Sequence, residues 1–210
     1  MKSEGMGLIL PYAVWMALMM VLPATAAGYA VRTVATALAL AWSLWAYLRR
    51  TSGTVANLLP SPRQLAWGLA VGVLVCAVWI YPDRFEWYRR LFIRGDADIV
   101  AGAFTQSTSP YDPAVCGWPL TLVRLVGSAF VISVAEELFF RRWLVGFAGF
   151  WWMVALFAVE HDRWLVGAFA GVAYGWLYLR KGLVSAIVAH AVTNLLLALW
   201  VIREGAWAFW

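Results

Sequence analysis

The chain has 210 residues, 64% of them hydrophobic and 13% charged, with a net charge of +5 and a mean hydropathy of +0.76. A soluble domain carries about a quarter charged residues, so this composition leaves too little polar surface to face water and excludes a soluble globular protein. The positive balance fits arginines that anchor helix ends to anionic lipid headgroups better than it fits nucleic-acid binding.

In chain order the apolar runs are Leu8–Leu22, Ala26–Leu48, Leu65–Tyr81, Leu120–Phe140, Phe147–Val159, Trp164–Leu179 and Leu183–Ile202. Several reach the roughly 20 residues that a helix needs to cross about 30 Å of hydrocarbon. The expected fold is an all-α, polytopic membrane bundle of about seven to eight transmembrane helices, a single domain over residues 1–210. Residues 1–118 supply amino-terminal helices and a loop, and 119–202 the motif-bearing helices. The first run has a weak basic flank, Lys2, and passes through Pro23 into another apolar stretch, so it reads as a retained helix and not a cleaved signal. Arg49–Arg63 is short and basic and reads as a cytoplasmic loop, which by parity places the amino terminus inside and the long Pro82–Pro119 connection outside. That connection opens with Asp83–Arg94, whose mixed aromatic and basic residues predict an interfacial amphipathic helix. It continues through Ser107–Pro113 as irregular loop. Tryptophans near the ends of the runs, among them Trp42, Trp45, Trp151 and Trp152, suit interfacial belts. Cys76 in a helix and Cys116 in a loop have no metal or redox spacing, and no disulfide is expected between them.

Ionisable side chains inside spanning segments are costly and functional by default, and here they gather in the last third. The fourth run carries Glu136, Glu137 and Arg141, the fifth ends in Glu160-His161-Asp162, and the last contains His190 and Asn194. Glu137 and Arg141 are four apart and can pair on one helix face. Glu136 points about 100° away, free to look into a cavity. His190 and Asn194, also four apart, face one direction. If the chain reverses near Gly149, Glu137 and His161 return to the same height, roughly 18 Å above the turn, and His190 stands roughly 12 Å above a turn at Gly182. Three elements would then bring Glu136, His161, His190 and Asn194 to similar depth.

A carboxylate beside a histidine, away from bulk water, is a general-base pair for a water molecule. A second histidine with an asparagine offers donors for an oxyanion. The product is peptide-bond hydrolysis within the membrane. The same side chains could instead hold a divalent metal such as zinc through Glu136, His161 and His190, so the cofactor is either none or such an ion.

At these residues the sequence resembles the CAAX protease and bacteriocin-processing (Abi) membrane family, relatives of the type II CAAX prenyl endopeptidase. The motifs are Glu136-Glu137 with Arg141, Phe157 with His161, and His190 with Asn194, in order over roughly 120–200. The resemblance implies a helical membrane fold and a glutamate-dependent intramembrane endopeptidase. In it Glu136 and His161 activate water, His190 and Asn194 steady the oxyanion, and Glu137 with Arg141 forms a structural ion pair. The short chain and Tyr111-Asp112-Pro113 are similar to a bacterial subgroup that accompanies exosortase and PEP-CTERM sorting systems, which implies a bacterial inner (cytoplasmic) membrane. The expected partners are membrane lipids and a protein or peptide substrate, with no nucleic acid. Glu160 is an unusual neighbour for the histidine; it either perturbs its titration or faces a polar seam.

Two other classes compete. A catalytically inactive family member would hold a partner's helix or tail, yet no key motif residue is missing here. A proton-linked carrier usually shows inverted repeats with paired broken helices, and none is seen. The Gly167, Gly171, Gly175 series reads as helix packing.

Overall fold

The computed structural model describes residues 2–51, 59–94 and 109–210. The centre of the expected Arg49–Arg63 loop and residues 95–108 of the long connection lie outside the described residues. Among the described residues there is no strand. The helices are α1 (Lys2–Val21), α2 (Ala26–Thr51), α3 (Pro62–Ile80), α4 (Glu86–Phe92), α5 (Trp118–Ala148), α6 (Phe150–Glu160), α7 (Trp164–Lys181) and α8 (Leu183–Glu204). Six of the seven apolar runs each fall largely within one helix, whereas Phe147–Val159 straddles the break at Gly149 between α5 and α6; a 3-10 turn over Tyr81–Arg84 is followed by the short amphipathic α4. In α4 Tyr88 is buried while Trp87 and Leu91 are exposed.

Local chemistry sets the boundaries. Ser61 opens α3 with a capping box, its hydroxyl accepting from the Gln64 amide while Gln64 Oε1 accepts from the Ser61 amide, and Pro62 follows at the first helical position. Gly149 and Gly182 take φ of 92° and 93° and serve as the N-caps of α6 and α8. That backbone region is open to glycine at no steric cost, and it lets the chain reverse where the sequence pattern expects it. Cys116, expected in a loop, closes one helical turn over Pro113–Cys116, capped by Asp112 Oδ1, which accepts from the Ala114 amide. The local Asx cap outweighs the irregular-loop signal of the prolines on either side. Both cysteines are free thiols.

Four segments are long and apolar enough to cross a membrane by themselves: Ala26–Arg50, Pro62–Arg84, Trp118–Ala148 and Leu183–Glu204. Gly5–Val21 and Phe150–Glu160 are shorter apolar helices. The 11 residues of α6 rise roughly 16 Å, about half of the hydrocarbon thickness.

Small residues let the helices approach closely, as expected where lipid gives no hydrophobic drive between them. A Cβ on Gly72 of α3 would stand 2.6 Å from the Ala189 carbonyl oxygen of α8, and one on Gly68 2.6 Å from the Val188 side chain. The Gly167, Gly171, Gly175 series seats α7 on α6, with Phe150, Val154 and Ala158 as its neighbours. Aromatic and apolar side chains fill the centre, among them Tyr12, Val75, Phe140, Phe157 and Tyr174.

α5 is irregular in one respect that the sequence does not reveal. Its turns over Gly127–Ile132 and Glu137–Leu144 are π-helical. Wide turns of this kind concentrate at functional sites, and these two flank Glu136.

Candidate active site

Glu137 and Arg141 have no exposed side-chain surface and pair at 3.1 Å, as their spacing predicts. Arg141 also lies over the rings of Phe157, 4.1 Å from its centroid, and Tyr174, at 5.3 Å. The pair has a third member. His190 of α8 places Nδ1 2.8 Å from Glu137 Oε1. A carboxylate only accepts, so Nδ1 donates and the ring orientation is fixed. The opposite nitrogen, Nε2, stands 3.7 Å from Glu136 Oε2, too far for a direct hydrogen bond. Glu136 is buried, and that oxygen has no hydrogen-bond partner. One histidine is thus bracketed by both glutamates of the motif.

His190 is further held by stacking on Tyr174, with centroids 4.9 Å apart and planes at 22°. The Tyr174 hydroxyl donates to Thr193 Oγ1 at 2.7 Å, and Thr193 bonds the Gly72 carbonyl at 2.9 Å. The close α3–α8 crossing therefore reaches the site through this relay.

His161 is not in a helix. It is the extended C-cap of α6, at φ −103° and ψ 137°. Its Nδ1 lies 2.7 Å from the Phe157 carbonyl oxygen. A carbonyl cannot donate, so Nδ1 carries the proton in this contact and Nε2 keeps its lone pair. Trp79 and Phe157 pack on the ring at 5.2 and 4.7 Å. Gly167 leaves room on the α7 side, where a Cβ would stand 3.3 Å from His161 Cβ.

The end of α6 is pinned from several directions. The Arg94 guanidinium donates to the carbonyls of Ala158, Val159 and His161 at 3.3, 2.8 and 2.9 Å, which satisfies the orphan acceptors of the last turn. Arg163 pairs with the fully buried Asp83 at 2.7 Å. Glu160 accepts from the Tyr12 hydroxyl of α1 at 2.7 Å. Its other oxygen, Oε2, is buried with no hydrogen-bond partner.

Asn194 lies one turn beyond His190 and faces α5, but both of its amide donors are engaged. Nδ2 donates to the Ser128 carbonyl at 3.0 Å and to Ser133 Oγ at 3.1 Å. Ser128 belongs to the first π-helical stretch, where a widened turn frees a carbonyl for outside donors.

His161, His190 and Asn194 line one cavity of about 220 Å³, together with Ser128, Arg124 and Trp79. Glu136 stands behind His190. Among the described residues no group of three or more His, Cys, Asp or Glu side chains is placed to hold a metal ion. His190 and His161 each engage Nδ1, on Glu137 and on the Phe157 carbonyl. Sequence reasoning missed Tyr12, Arg124, Ser128, Ser133 and Tyr174. An arginine in an apolar run was a readable signal for Arg124; the others have none.

Residues 118–196 match the family model of type II CAAX prenyl endopeptidase Rce1-like proteins. This part of the chain is similar to that family. No curated protein and no solved structure matches the chain. Every motif residue, from Glu136 to Asn194, falls inside the matched region, and members of that family are proteases. α1 to α4 lie outside the matched region, yet Tyr12, Gly72, Trp79 and Arg94 complete the surroundings of its histidines.

Proposed function

We propose that this chain is an intramembrane endopeptidase that hydrolyses a peptide bond of a membrane-associated protein or peptide, with Glu136 and His161 activating the water. The observation that carries the reading is the shared cavity of His161, His190 and Asn194 among hydrocarbon-spanning helices, beside a buried Glu136 oxygen with no partner. His161 presents its lone pair from Nε2, the form a general base requires. The water proton passes to that nitrogen as the water oxygen bonds the scissile carbon. Glu136, whose Oε2 is 3.7 Å from His190 Nε2, acts on the water from behind that ring. Collapse of the tetrahedral adduct breaks the C–N bond, and His161 returns the proton to the leaving amine.

His190 serves the oxyanion through Nε2–H in its doubly protonated form, which sets a positive charge between Glu136 and Glu137. Asn194, with both N–H groups on α5, supports this by fixing α8 against the π-helical stretch. No step is routed through a metal.

The test compares wild type with Glu136→Gln in detergent, against peptides spanning candidate cleavage sites. Loss of cleavage in a variant with unchanged thermal unfolding supports the reading. Equal cleavage by both removes Glu136 from the mechanism and leaves it a structural carboxylate.

A further inference from the structure

The cavity contains a cation that the hydrolysis does not use. Arg124 of α5 lines it together with His161, His190 and Asn194. Three rings surround the guanidinium, Tyr111, Tyr29 and Trp210, with centroids at 3.9, 4.4 and 5.2 Å. Its Nε is buried and has no hydrogen-bond partner. Arg32 of α2 lies 5.5 Å from the centroid of the same Tyr29 and 5.1 Å from that of Trp15, buried and with Nε likewise unpartnered. Among the described residues neither arginine has an acidic partner.

Two other arginines, both buried, have acidic partners. Arg141 has Glu137 and Arg163 has Asp83. The chain supplies counter-charges where arginines only hold helices together, and supplies none at the cavity. Rings offset part of the cost of a desolvated cation. Rings stacked on a guanidinium leave N–H groups at its edge for a planar acceptor, the geometry that suits a carboxylate, and Nε of Arg124 has no partner.

We propose that Arg124 is a carboxylate-binding subsite of this cavity, taking either the terminal carboxylate of a peptide or an Asp or Glu side chain. Its use in substrate selection rests on the protease reading; the binding itself does not. Arg32 reinforces the positive potential from behind Tyr29.

The test reads binding in the Glu136→Gln protein, in detergent, so that turnover plays no part. The probes are acetyl-Ala-Val-Leu as the free acid, the same peptide as its carboxamide, and acetyl-Ala-Asp-Leu-amide. Trp79 and Trp210 line the cavity, so intrinsic fluorescence reports occupancy. One or both carboxylate peptides should bind about 10- to 100-fold more tightly than the carboxamide, the worth of one or two charge-assisted hydrogen bonds, and whichever does so identifies the source of the group. Arg124→Gln should abolish the difference, with Arg124→Lys keeping part of it. Equal binding of acid and amide overturns the proposal, as does no binding of any probe at millimolar concentration. A response only to nanodiscs of phosphatidylglycerol, lost in Arg124→Gln, also overturns it in favour of a lipid headgroup. The comparison of acid with amide needs no Arg124 variant, so poor folding of one leaves a decisive result. A wild type that cleaves nothing would count against the protease reading alone.

Discussion

Substituting Glu137 by Gln should expose how far the buried triad holds the bundle together. Glu137 and Arg141 have no exposed side-chain surface, and Glu137 also accepts from His190 at 2.8 Å. Removing one partner of a buried pair leaves an uncompensated charge and costs about 3–5 kcal/mol. Glu137→Gln keeps an acceptor for His190, so the stranded Arg141 dominates the loss. The double variant Glu137→Gln/Arg141→Met removes both charges at similar volume, and such replacements are often neutral. It should return to within about 1–2 kcal/mol of wild type; with each single variant losing about 3–5 kcal/mol, the coupling energy is about 4–9 kcal/mol, above the usual range for contacting residues. Equilibrium unfolding in mixed micelles, followed by tryptophan fluorescence, measures all four corners of the cycle. Turnover should not follow stability: the double variant holds His190 through a neutral acceptor and should stay at least about tenfold slow, as for a histidine that has lost its charged orienting partner. A Glu137→Gln protein within about 1 kcal/mol of wild type would refute the argument, as would a double variant as unstable as the sum of the singles.

Gly72→Ala forces a methyl to 2.6 Å from the Ala189 carbonyl oxygen and 2.8 Å from Val192; an overpacking loss of about 1–3 kcal/mol should appear in thermal unfolding. Gly146→Ala, with nothing within 4 Å of its new Cβ, should be neutral or stabilising by up to about 1 kcal/mol. Asn194→Ala strips the donor from the Ser128 carbonyl and Ser133 Oγ, and should cost about 1–3 kcal/mol, read by unfolding in micelles, with faster amide exchange around Ser128. Asp83→Asn strands Arg163 at the end of α6; limited trypsin digestion should then cut at Arg163, which the wild type resists, while α3 and α8 stay intact.

The helices were legible because long apolar runs in a membrane protein leave few alternatives, and Gly149 and Gly182 marked the reversals. Glu137 with Arg141 was legible because a four-residue spacing is a geometric statement that survives even the π-helical turn around it. The shared direction of His190 and Asn194 held for the same reason, since both face α5. Their partners were not legible. Which atoms lie opposite depends on the rotation of α5, and the two wide turns that set this rotation leave no mark in residue type. The Tyr12–Glu160 bond joins residues 148 apart, beyond any local periodicity. Span counting was also less secure than helix counting: an apolar run of Phe147–Val159 says what a segment avoids, not whether it reaches the far side.

α6 gives the site a dependence on the lipid itself. Trp151, Trp152, Leu156 and Val159 are exposed along its outer side, and the helix stops at Glu160, where Arg94 and Asp162 begin. Acyl chains packed against this flank meet backbone carbonyls and charge about halfway along their expected depth. They must shorten, or water must descend to Arg94, and either adjustment costs a fraction of a kcal/mol per ångström of mismatch. Short-chain lipids relieve that elastic load and long-chain lipids increase it. Because His161 is the residue at which α6 ends, that imidazole stands where such an adjustment would be felt.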